Sequence, residues 1–131
     1  MDQCPPPSVS GGFRLIVLAV CLAVAARSVV AADVDFNRDI RALLSRHCLK
    51  CHGRDDAHRQ ASLRLDRRDV ATSRLESGQV AIVPGRPGHS ELVRRITSPD
   101  PDLRMPPQDT ANALGQRDIA LLTRWIAEGA E

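Results

Sequence analysis

The scarcity of bulky apolar side chains constrains this chain most. Past residue 32, Phe36 and Trp125 are the only aromatics, and there is no tyrosine anywhere. At 131 residues there is room for one small domain, a size at which the fraction of surface that can be buried is already marginal. Small domains outside the cytoplasm often compensate with several disulfides. Here Cys48 and Cys51 stand alone in the same stretch, and a bridge across two residues closes too short a loop to contribute much. A large apolar group attached to that pair would fill the centre and account for both shortages.

The N-terminal part reads as a leader. Arg14 precedes an unbroken apolar run, Leu15 to Ala26, closed by Arg27. The run is too short to span a hydrocarbon core of roughly 30 Å, which takes about 20 helical residues. It has the length of a secretory h-region, and Ser28-Val29-Val30-Ala31-Ala32 supplies small residues for cleavage. The expected organisation is a signal peptide over 1–32, removed on export, and one domain over 33–131. Cleavage after Ala26, an uncleaved anchor and a buried helix are the alternatives. No membrane span is expected after cleavage, and the expected location is the periplasm or elsewhere outside the cytoplasmic membrane. Cys4 and Cys21 leave with the leader. Residues 33–131 carry a net charge of about +1, too balanced for a nucleic-acid binder.

Three helical stretches are expected. The first runs from about Arg38 to Cys48, with Ile40, Leu43 and Leu44 on one face and Asn37 or Asp39 as its cap. The second starts at Pro87, suited to a first helical position, and carries Leu92, Val93 and Ile96 up to Ser98-Pro99. The third spans about Gln116 to Glu128, with Ile119, Leu122 and Ile126 on one face, Leu121 and Trp125 widening it, and Gly129 at its end. Between the first two, Leu63-Leu65 and Val80-Val83 alternate like short strands able to pair as a minor ribbon, with a brief helical turn after Asp66. Asp100 to Asn112 is irregular and proline-rich, and contains Met105-Pro106-Pro107.

Cys48-Leu49-Lys50-Cys51-His52 carries the chemistry. C-x-x-C-H is the attachment signature for c-type haem. Cysteines three apart on a helical turn both reach a porphyrin edge, where each thiol adds to a vinyl group as a thioether. The next histidine is thereby placed under the iron as the proximal ligand. Three other readings compete. A structural zinc site needs four ligands, commonly two such pairs, and the second pair is missing. A thioredoxin-like redox pair needs a βαβ context, and the third reading is the short disulfide. The sixth iron position falls to Met105, the only methionine after Met1, in a proline-stiffened loop with no core-packing role. His89 and then His58 are its rivals. A thioether stabilises Fe(II), which suits electron transfer. His47 is read as a surface residue.

These residues, with Asp35-Phe36-Asn37-Arg38-Asp39-Ile40, Leu63-Arg64-Leu65-Asp66, Ile82-Val83-Pro84-Gly85, Ser90-Glu91-Leu92, Arg94-Arg95-Ile96, Arg104-Met105-Pro106-Pro107 and Trp125-Ile126, resemble the planctomycete cytochrome c domain over essentially all of residues 34–131. The resemblance implies an all-α cytochrome c fold of three main helices around one covalent haem c. It also implies axial roles for the C-x-x-C-H histidine and the Met-Pro-Pro methionine, which fall on His52 and Met105. Gly115-Gln116 stands where the family tends to have Thr-Pro, and Ala42 where it often has proline. Such domains often front longer exported proteins, so a stand-alone carrier and a shortened haem domain of a larger enzyme are both open.

The expected function is one-electron transfer to redox partner proteins, without substrate and without catalytic residues. A haem-based sensor or a peroxidase-like module would need an open or histidine-ligated distal site.

Overall fold

The computed structural model describes residues 32–107 and 113–131, of which Asp33–Glu131 form one compact unit. Residues 1–31 of the expected leader over 1–32, and residues 108–112 of the proline-rich loop, lie outside the described residues. Helices dominate, and no strand occurs among the described residues. In chain order they are α1 (Arg41–His47), α2 (Leu49–His52), α3 (Arg68–Ala71), α4 (Glu91–Ile96) and α5 (Gln116–Ala127). A π-helical turn, Phe36–Ile40, leads into α1, and a 3-10 turn, Pro87–His89, precedes α4.

The first expected helix starts earlier than Arg38. Its cap is Asp35, not Asn37 or Asp39: the Asp35 carboxylate accepts from the Arg38 N–H at 2.7 Å. Asp39 instead reaches back to the Asp35 N–H at 3.0 Å and pairs with the Arg38 guanidinium. Asp35 thus satisfies the Arg38 N–H while Asp39 satisfies the Asp35 N–H, a variant of the capping-box logic. The Arg41 N–H bonds to Phe36 O, which makes the first turn π-helical. The helix breaks at Cys48 (φ −124°) and resumes as α2.

Corrections are also needed in the middle of the chain. The ribbon between Leu63-Leu65 and Val80-Val83 does not form. Ala61 and Ser62 take left-handed backbone (φ 54° and 53°), which ends any extended run before Leu63. The backbone of 80–82 bonds to helices instead: Ile82 N–H to Ala71 O at 2.9 Å, Glu91 N–H to Val80 O at 3.0 Å and Leu92 N–H to Ala81 O at 3.0 Å. A single antiparallel bridge joins Arg74 and Val80. The brief turn after Asp66 does form, as α3, but Asp66 does not cap it; its carboxylate is taken by Arg64 at 2.6 Å. Pro87 opens the 3-10 turn, and α4 begins only at Glu91. Ser90, at its N-cap, is buried and spends its hydroxyl on the preceding loop, accepting from Val83 N–H at 2.9 Å and donating to Arg86 O at 3.0 Å.

The last helix ends as expected. Gly129 takes φ +110°, and the N–H groups of Gly129 and Ala130 return to Ile126 O at 3.1 Å and Trp125 O at 3.0 Å, a Schellman closure. Its start has half a capping box, Asp118 accepting from Gly115 N–H at 3.2 Å.

The core joins Ile40, Leu43 and Leu44 to Leu122, Trp125 and Ile126, with Leu92 and Ile96 of α4 completing it. The two strongest apolar stripes therefore meet. Trp125 lies against Phe36 with ring centroids 5.8 Å apart, and its indole N–H donates to Glu131 O at 3.0 Å.

One ion-pair cluster fixes α4. Glu91 is only 12% exposed and takes Arg94 at 2.5 Å and Arg95 at 2.7 Å. The Arg94 hydrogen bond, reinforced by Arg95, outweighs burial and lowers the Glu91 pKa below the ordinary 4.5. With the folded value depressed, the stabilisation is complete above the unfolded value and is lost as pH falls through the folded one. Glu91→Gln should therefore cost about 1 kcal/mol at neutral pH, a modest figure because Arg94 is largely solvated. Urea titrations at pH 7 should separate variant from wild type, and the gap should close as pH falls below the ordinary glutamate range.

Candidate functional site

The C-x-x-C-H segment straddles the break between α1 and α2. Cys48 and Cys51 are both free thiols, so the short disulfide is not formed. Their surroundings differ. Cys48 is half-buried, and burial pushes its thiol pKa up to about 11, whereas Cys51 is exposed. Among the described residues no cluster of three or more His, Cys, Asp and Glu side chains could hold a metal ion.

His52 is half-buried, and its Nδ1 lies 3.3 Å from Gln60 O. A carbonyl oxygen can only accept, so Nδ1 carries the proton and Nε2 keeps its lone pair. Burial lowers the His52 pKa, outweighing the Gln60 carbonyl, which favours the cation. The ring is thus held neutral with one nitrogen free, the form that ligates iron.

Two backbone bonds fix the loop that supplies Gln60: Gln60 N–H to Cys51 O and Leu65 N–H to His52 O, both 2.8 Å. Gln60 was not legible in the sequence, because a backbone carbonyl leaves no side-chain signal. Gly53 directly follows the motif. A Cβ there would sit 2.3 Å from Leu49 O, inside any permitted contact. Gly53→Ala should force α2 to shift and destabilise the loaded protein by about 1–3 kcal/mol in urea titration.

Met105 is half-buried. Its N–H donates to Arg95 O at 3.1 Å, tying the Met-Pro-Pro loop to the end of α4. Arg104 adds a bond from Nε to Ser98 O at 2.7 Å. The two rival histidines are both exposed. His58 is engaged at the surface by Asp55, Nδ1 to Oδ2 at 2.8 Å, and His89 sits on the 3-10 turn. His47, read as a surface residue, is half-buried.

A cavity of about 370 Å³ lies beside the motif, bordered by Leu49, Lys50, Gly53 and His58. A smaller one, about 190 Å³, lies among Phe36, Leu65, Ile82 and Trp125. Neither is lined by Cys48, Cys51, His52 or Met105. Leu65 and Ile82 line a cavity that neither cysteine sulfur borders, and Leu43 is buried in the core.

The family model described as Planctomycete cytochrome C matches residues 48–109, from the first cysteine of the motif past Met105. Over these residues the chain is similar to the Planctomycete cytochrome C family. No curated protein and no solved structure matches the chain. A cytochrome c domain implies covalently bound haem c, is generally an electron carrier and is usually extracellular or periplasmic. The donor set fits that group: two free thiols one helical turn apart, a neutral imidazole with an available Nε2 and a half-buried thioether. None of the described helices is long and apolar enough to cross a membrane.

Proposed function

We propose that this chain is an exported one-electron carrier, holding a single haem c through thioethers to Cys48 and Cys51, with His52 and Met105 as axial ligands. The observation that carries the reading is the His52 Nδ1 contact to Gln60 O at 3.3 Å, which turns the histidine of an attachment motif into a neutral, oriented ligand. The haem, when bound, supplies reversible one-electron exchange. The chain's residues do the rest: the cysteines anchor, the Gln60 carbonyl fixes the tautomer, and the Arg95 carbonyl positions the Met105 loop. The helical segments around the motif, α4 and α5 wrap the haem from three sides. A leader over 1–32 takes the chain out of the cytoplasm, and redox proteins are its partners.

Met105 is preferred over His89 and His58 because it is half-buried while both histidines are exposed. The test is the absorption spectrum of the oxidised, haem-loaded protein. The weak far-red band of thioether sulfur on ferric iron should be present in wild type and absent in Met105→Ala. Loss of that thioether should also lower the reduction potential by about 100 mV or more. A wild type without the band, or a variant that keeps it, would move the sensor and peroxidase-like readings ahead.

A further inference from the structure

The segment after the C-x-x-C-H motif folds back onto it. The helix α2 ends at His52, and carbonyls at a helix end need donors from outside the helix. Four in a row, Cys51 to Arg54, take theirs from the returning residues 59–65. Gln60 N–H reaches Cys51 O and Leu65 N–H reaches His52 O, both at 2.8 Å. A single guanidinium serves the other two: Arg59 Nε donates to Gly53 O and Arg59 Nη2 to Arg54 O, each at 3.0 Å. Arg59 also pairs with Asp56 within the same loop.

The place of Arg59 matters because of its neighbours. Its side chain is 20% exposed although that of Asp56 is 84% exposed, so the ion pair does not account for its burial; the two carbonyls do. It directly precedes Gln60, whose carbonyl lies 3.3 Å from His52 Nδ1 and also accepts from Leu63 N–H at 3.2 Å. The His52 contact is at the long end for a hydrogen bond, so a small shift of Gln60 would break it. A planar guanidinium presents two N–H groups at a fixed spacing and holds two neighbouring carbonyls in one geometry. An ammonium on a flexible stem keeps the charge without that constraint.

We infer that Arg59 is the positioning residue for the axial histidine: its clasp on Gly53 O and Arg54 O sets the His52 Nδ1–H bond to Gln60 O and, through it, the reduction potential. The inference rests on the proposed ligation of iron by His52. A hydrogen bond from Nδ1–H raises the donor strength of the imidazole, which favours Fe(III) and lowers the potential. Loosening the clasp should therefore raise it. Deleting the cation would act the other way, because a nearby positive charge favours Fe(II). Arg59→Lys keeps the charge and removes the fork, so it isolates the effect of geometry.

The experiment uses haem-loaded wild type and Arg59→Lys. In the reduced, diamagnetic protein, NMR should find the His52 Nδ1–H exchanging with solvent at least about tenfold faster in the variant. Voltammetry should find the potential of the variant higher than that of wild type. Glu91→Gln, which weakens the fold at α4 away from this loop, serves as the control and should leave the potential unmoved. An exchange rate and potential unchanged in Arg59→Lys overturn the inference, as does a Glu91→Gln protein whose potential rises as much. Should Arg59→Lys fail to load haem, Asp56→Asn, which frees the guanidinium from its carboxylate, gives the same exchange readout with a smaller effect, and no change there also overturns it. A wild type in which the His52 ring lacks the large ring-current shifts of a haem ligand fails the proposed function instead, which separates the two outcomes.

Discussion

The Cys48→Ser, Cys51→Ser double variant should emerge from a periplasmic maturation system without covalent haem, while the wild type keeps its haem through a denaturing gel. Each thioether forms when a cysteine S–H adds across a vinyl C=C, sulfur to one carbon and hydrogen to the other, and a serine hydroxyl does not make that addition under the same conditions. The effect is therefore all or none for the pair. The single variants should each retain a haem held by one bond, because one thiol still reaches one vinyl. The two singles should differ in yield: Cys48 is half-buried, which pushes its thiol pKa up to about 11, whereas Cys51 is exposed. If the wild-type haem extracts into acidified acetone, or the double variant still stains for haem after denaturation, the attachment reading is wrong.

The site was legible where side chains carry the signal. Two thiols and an imidazole at fixed spacing identify themselves, and so do the apolar stripes of Leu43-Leu44 and Leu122-Ile126, because the period of an α-helix is written in side chains. What failed was local and rested on backbone bonds. Asp35 caps the first helix because its carboxylate reaches the Arg38 N–H, yet Asn37 and Asp39 match the same rule in sequence. Val80-Val83 alternates like a strand, but its backbone groups are claimed by α3 and α4, which no alternation pattern can foretell. The carbonyls of Gln60 and Arg95, which orient His52 and hold Met105, belong to residues whose side chains give no reason to single them out. Only the fold brings them there.

The haem-free chain over 33–131 should be largely unfolded or molten in solution. Its helices are short: α1 has 7 residues, α2 and α3 have 4 each, and α4 has 6. Isolated helices below about 12–15 residues are marginal in water even with favourable sequences, so only α5, with 12 residues, approaches independent stability. Tertiary packing must hold the others, and the largest fully buried apolar side chains are Ile40, Leu44, Leu122 and Ile126. Ordering each residue costs roughly 1–2 kcal/mol of backbone entropy, and an apolar set this small, with no disulfide between Cys48 and Cys51, leaves little margin. A haem joined at Cys48 and Cys51 changes both sides of that balance: it adds a large apolar surface to bury, and it ties the loop carrying Gln60 to the end of α2 through a ligated His52. Trp125 gives the readout, since its ring is fixed against Phe36 at 5.8 Å and by its bond to Glu131 O. The loaded protein should show sharp near-ultraviolet dichroism and a cooperative thermal transition. The apo chain should show neither, while keeping some helical far-ultraviolet signal from α5. A cooperative transition in the apo chain would mean that the polypeptide core suffices, and that the haem is a passenger in a fold that stands without it.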